Sequence, residues 1–139
     1  LFIRLARLPL FALPEGGRQM LQPVHVYDVA DGVAALLAAS SRNATLNMSG
    51  GRALSLAAYL NTLRATLHGK TAARVLPLPS PLLAPFLPLT NYLSDGMVSA
   101  ATLRLLADGS CADNRDFTAL LGRAPLAPEQ FAAADVAGF

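Results

Sequence analysis

Apolar and polar residues alternate along this 139-residue chain with two distinct periods. In Gln22-Pro23-Val24-His25-Val26, the β-branched Val24 and Val26 alternate with Pro23, His25 and Tyr27, which predicts a short strand over 22–26. Asp28 then suits a helix N-cap, and Asp31 three positions on gives a capping-box-like partner. From Val29 to about Ala39 the period changes to that of a helix, with Val29, Val33, Leu36 and Leu37 on its apolar face.

The rest of the chain reads in the same way. Leu1, Leu5 and Leu8 share a face, which predicts a helix from Leu1 to about Phe11, ended by Pro14 and Gly16-Gly17. An amphipathic helix entered partway is the reading of that start, so the polypeptide is expected to be a piece of a longer one. Pro14 to Arg18 is a loop, and Ser40 to Asn43 a turn. Ala44 to Met48 predicts a second strand, broken by Ser49-Gly50-Gly51, with Asn47 ordering that turn. Ser55 then caps a helix whose face is Tyr59, Leu60, Leu63 and Leu67 and whose stop is Gly69. Ala72 to Leu78 predicts a third strand. Ser99 to Gly109 predicts a helix through Leu103, Leu105 and Leu106. Asp113 or Asn114 caps another, with Phe117, Leu120 and Leu121 inward and Gly122 closing it, and Pro128 opens a last one to about Ala134.

Composition narrows the class. The length fits one domain with a real core. The chain is 53% hydrophobic and 14% charged, against about 25% charged in an average globular protein. So low a charge implies an unusually apolar domain or one lacking a covering partner. A net charge of +2 with no basic run argues against nucleic acid. The single Cys111 excludes an internal disulfide and points to a reducing compartment. Val75 to Ser94 carries no charge and is long enough to span a bilayer, but prolines at 77, 79, 81, 85 and 88 would each remove a backbone donor that lipid cannot replace. A helix capped by Ser80 with Pro81 in its first turn fits better, packed on a partner or lying on a membrane surface through Leu82, Leu83, Phe86 and Leu87. Gly69-Lys70-Thr71 imitates the end of a phosphate-binding loop, but Arg64 stands where that pattern needs glycine. Two histidines and scattered carboxylates give no metal site.

Three segments carry a resemblance. Pro23-Val24-His25-Val26-Tyr27-Asp28-Val29-Ala30, Leu46-Asn47-Met48-Ser49-Gly50-Gly51 and Leu120-Leu121-Gly122-Arg123-Ala124-Pro125 resemble, in this order and spacing, the second half of extended and atypical short-chain dehydrogenases/reductases. These form the NAD-dependent epimerase/dehydratase group, and the branch that includes a complex I accessory subunit looks nearest. The resemblance implies a helix-rich α/β fold, with residues 1–139 forming the single C-terminal, substrate-binding domain of a Rossmann-type protein. It places the 44–48 strand at the edge of a parallel nucleotide-binding sheet. An open edge there would need covering, so a homodimer or higher oligomer is expected.

The same resemblance says what is missing. The group binds NAD or NADP on a glycine-rich strand-to-helix turn and moves its proton through Tyr-x-x-x-Lys. No such turn occurs, and the residues four on from Tyr27, Tyr59 and Tyr92 are Asp31, Leu63 and Gly96. No catalytic and no cofactor-binding residue is therefore expected in this chain; NAD or NADP would belong to a full-length parent. What remains is contact with a small-molecule, nucleotide-linked substrate. The resemblance assigns the loop before residue 22 an arginine for phosphate, and Arg18 sits there. Two roles fit it: a solvated loop side chain, or a fork of donors on an anion. His25 is either a satisfied structural histidine or a group near the junction of two lobes. Gln22 is a weaker substrate-contact candidate, and Asp28 reads as a cap.

Three functions are open, two of them resting on the resemblance. One is the substrate-binding portion of an NAD(P)-dependent nucleoside-diphosphate-sugar epimerase or dehydratase-like oxidoreductase, inactive alone. The other is a non-enzymatic accessory or membrane-associated assembly protein that keeps the fold. A freestanding helical interaction domain is a third. The first two imply a cytoplasmic location, or one peripheral to the inner membrane.

Overall fold

A computed structural model describes residues 2–39, 45–79 and 109–131. The elements run α1 (Phe2–Leu5), β1 (Leu10–Pro14), a 3-10 turn (Glu15–Gly17), β2 (Met20–Leu21), α2 (Val26–Ala38), β3 (Leu54–Ser55), α3 (Leu56–His68), β4 (Arg74–Leu78), α4 (Arg115–Leu121) and a 3-10 turn (Pro128–Gln130). The chain divides into two compact units, Leu1–Leu21 with Leu54–Ser110, and Gln22–Ala53 with Cys111–Phe139.

The first unit is built on a parallel pair, β1 and β4, in the register Leu10↔Arg74 to Pro14↔Leu78. Parallel neighbours need a crossover, and the connection includes α3. Alternation sends Phe11 and Leu13 to the covered face, where Leu56, Leu60 and Ala73 complete the core and Phe2, Leu5, Ala57 and Val75 pack around it. Leu10, Ala12 and Leu76 stay exposed on the other face. Phe2 meets Tyr59 edge-on, ring centres 5.7 Å apart, and burial raises the Tyr59 phenol above its usual range.

Prolines blunt the edges of this sheet. Arg74 N–H donates to Pro9 O at 3.2 Å, so the main-chain groups of Arg74, Leu76 and Leu78 face β1 while those of Val75, Pro77 and Pro79 face away. Two of those three outward positions have no N–H to offer a further strand. On β1 the outward carbonyl of Pro14 accepts from Gln19 Nε2 at 3.0 Å.

Helix α3 follows its caps. Ser55 Oγ accepts from Ala58 N–H at 3.2 Å, and Gly69 ends the helix in the left-handed region at φ 58°. Its buried side includes an unusual member, Arg64. The guanidinium donates to Thr71 O (2.6 Å) from Nε, and to Ala6 O (3.1 Å) and Leu8 O (2.7 Å) from Nη1. Among the described residues, backbone carbonyls and no carboxylate satisfy this buried cation, and they tie the segment after α1 and the segment before β4 to one helix.

In the second unit α2 packs on α4 through Gly32. A Cβ there would lie 2.6 Å from Phe117 Cε2, and Phe117 is fully buried. Gly50 is more tightly constrained still, because a Cβ would lie 1.9 Å from Pro23 O. Gly122 closes α4 at φ 66°.

Several sequence expectations need correction. The helix expected over Leu1–Phe11 stops at Leu5, and Leu10–Pro14 is strand. Pro9 is the reason: it restricts Leu8 and cannot donate back to Leu5. Residues 22–25 form no strand. The backbone is extended at His25 (φ −78°, ψ 144°), but Pro23 has no N–H and the Gln22 carbonyl accepts from Gly50 N–H at 3.3 Å. Pairing ends at Leu21, where β2 meets β3 antiparallel. The helix begins at Val26, not Val29, and its cap is His25, not Asp28. Its expected inward face is largely outward, with Val33, Leu36 and Leu37 all exposed and Leu37 84% so; Asp28 and Gly32 are buried instead.

Residues 45–48 are irregular, so they form no open strand edge. Asn47 makes no hydrogen bond among the described residues. The turn at Gly50 is held by Gln22 Nε2 and Asn114 Nδ2, each 2.7 Å from Gly50 O. Asn114 is therefore spent there, and Asp113 Oδ1 accepts the Arg115 N–H instead. The third strand, expected over 72–78, forms as Arg74–Leu78. Pro128 opens a 3-10 turn. The helices expected from Ser80 and over Ser99–Gly109 and the 40–43 turn fall wholly or almost wholly outside the described residues; so do Ala44 and the stretch to Ala134. No helix among the described residues is long and apolar enough to cross a membrane.

Candidate functional site

Arg18 belongs to the first unit, at the carboxyl end of β1. The loop before it is built from three consecutive residues at positive φ: Glu15 (50°), Gly16 (73°) and Gly17 (69°). At Gly17 a Cβ would lie 2.5 Å from Leu13 Cδ1, so both conformation and space require glycine. Glu15 accepts a conformation that costs a non-glycine residue about 1–2 kcal/mol. The turn lies beside β4, with the ideal Cβ of Gly16 3.6 Å from Pro77 Cβ. Arg18 follows at φ −77°, ψ −12° and is exposed. Among the described residues it makes no hydrogen bond or ion pair. The carboxyl ends of parallel strands are where open α/β sheets receive ligands.

Gln22 and His25 belong to the second unit, and both are used there. Gln22 Oε1 accepts from Ala112 N–H at 2.9 Å while its Nε2 donates to Gly50 O. One amide side chain thus joins three segments of the unit. His25 is 5% exposed. Its Nδ1 accepts from Tyr27 N–H at 3.3 Å, which places the proton of the neutral ring on Nε2. The ring lies 5.0 Å from both Tyr27 and Phe131. An N-cap role for histidine is not visible in a pattern that holds the better capper, Asp28, three residues later.

The strongest electrostatic feature of the second unit is one that sequence reasoning missed. Asp28 is fully buried in the first turn of α2; Oδ2 accepts from Leu126 N–H at 2.7 Å and Oδ1 lies 2.6 Å from Arg123 Nη1. Arg123 Nη2 reaches Asp31 Oδ2 at 2.8 Å. The close approach of the two carboxylates, Asp28 first, raises the Arg123 guanidinium further above its usual range. The signal was present in the i, i+3 spacing of Asp28 and Asp31, which places both on one side of a helix, but nothing local names the distant arginine. An exposed ion pair between Arg52 and Glu129 adds a second tie to the same segment.

The one lysine, Lys70, directs Nζ to Arg7 O at 3.5 Å. No group of three His, Cys, Asp or Glu side chains suited to a metal occurs among the described residues. Cys111 is exposed. A dinucleotide needs a glycine-rich turn opening onto a helix N-terminus, whereas Gly16-Gly17 leads through Arg18 and Gln19 into β2. The residues present do not fit NAD or NADP there.

No protein-family model matches the chain, and no curated protein matches it. Among solved structures it is similar to a nucleoside-diphosphate-sugar epimerase from Staphylococcus aureus, with a TM-score of 0.64 and 20% identity, covering 94% of this chain and 46% of that one. The chain therefore spans about half the length of the structure it matches. The likeness is one of fold: a mixed α/β arrangement of the Rossmann-like epimerase kind, with a parallel sheet and helices.

Proposed function

We propose that this chain supplies the substrate-binding half of an NAD(P)-dependent nucleoside-diphosphate-sugar epimerase or dehydratase-like protein and does no chemistry alone. The fold likeness, extending over 94% of this chain but 46% of the epimerase, carries the reading. The coenzyme, NAD or NADP, would be held by the other half, which would also supply the groups that move hydride and proton. On this side the work is recognition. Arg18 contributes a planar fork of donors to the diphosphate of a nucleotide-linked substrate, and the left-handed turn Glu15–Gly17 holds it at the carboxyl end of β1. In the second unit Gln22 and His25 fix backbone at Gly50, Ala112 and the start of α2.

Calorimetric titration of the chain with uridine and thymidine diphosphates tests this. Wild type binds one of them and Arg18→Gln binds it at least about tenfold more weakly, the loss of one charged bidentate contact. Equal affinity of the two proteins, or no binding by wild type, overturns the reading. A second reading, an assembly protein that keeps the fold without the chemistry, is favoured by one observation: the outer face of α2 exposes Val26, Val33 and Leu37.

A further inference from the structure

No further inference is drawn: the strongest candidate, the uncharged outer face of α2 formed by Val26, Ala30, Val33 and Leu37, is an unpartnered apolar surface, and nothing in the structure shows what covers it.

Discussion

Arg123 Nη1 stands 2.6 Å from Oδ1 of Asp28, a carboxylate with no exposed surface. The contact closes a loop of 95 residues in sequence and joins the start of α2 to the segment after α4. The two carboxylate partners of Arg123 differ in burial, 0% exposed at Asp28 against 61% at Asp31, and only Asp28 also accepts from a backbone amide, Leu126 N–H.

Removing the buried partner leaves the guanidinium facing a neutral amide and weakens the bond from Leu126 N–H. Asp28→Asn is expected to cost about 3 kcal/mol, the low end for breaking a buried pair, because the Arg123 side chain is itself 42% exposed. Asp31→Asn removes a partner that is 61% exposed and should cost less than about 1 kcal/mol. Urea denaturation of both variants checks the order. Equal losses would mean that burial does not govern this cluster.

The constraint at Gly50 is steric. A methyl group 1.9 Å from Pro23 O cannot be absorbed by a side-chain rotation, since the obstacle is backbone. Gly50→Ala should cost about 3 kcal/mol or more, and it should disturb the hydrogen bonds that Gln22 and Asn114 donate to the Gly50 carbonyl. At Gly32 the obstacle is the edge of the Phe117 ring, which can shift, so Gly32→Ala should cost less. A denaturation midpoint for Gly50→Ala at or above that of Gly32→Ala would contradict this.

Arg64 makes a separate prediction. Arg64→Met keeps the packing stem but leaves the carbonyls of Ala6, Leu8 and Thr71 without this donor; a loss of about 3 kcal/mol is expected, with Arg64→Lys intermediate because an ammonium cannot span all three. Amide exchange should quicken at residues 2–8 before it does in the core of α3. Uniform acceleration across the first unit would show that the arginine is not a local clamp.

Tyr59 predicts how stability changes in alkali. Burial raises the phenol's pKa in the folded chain, so the unfolded chain releases its proton first. The stabilising contribution is complete below the unfolded value of about 10 and is lost as pH rises towards the folded value. The fall in stability above pH ~10 should be shallower in Tyr59→Phe than in wild type. Identical slopes would assign the fall to other groups.

The elements that could be read from the sequence were those whose signals were local. Ser55 and Gly69 bound α3 as written, Gly122 closes α4, and β4 forms where the third strand was expected, because caps and turns are satisfied by nearest neighbours. The elements that misled needed distant partners. Val24 and Val26 alternate like a strand, but the Gln22 carbonyl is taken by Gly50 and no ladder forms. Leu10 and Phe11 read as the end of a helix until β4, more than 60 residues on, supplies a pairing edge; Pro9 was the overlooked hint. The period of Val29, Val33, Leu36 and Leu37 was right for a helix and wrong for its buried side, because the bond that Leu126 N–H donates to Asp28 and the close approach of Gly32 to Phe117 orient α2. That Arg18 lies in the loop after β1 was legible. That Gln22 and His25 are spent on backbone was not, since their partners lie at Gly50, Ala112 and a helix cap three residues ahead of the expected one.

The most direct test of the account is amide NMR of the chain during addition of a nucleoside-diphosphate sugar and, separately, of NAD. The account predicts shifts centred on residues 15–19 with the sugar nucleotide and none with NAD. Shifts on adding NAD, or a sugar-nucleotide response that leaves residues 15–19 unmoved, would contradict it.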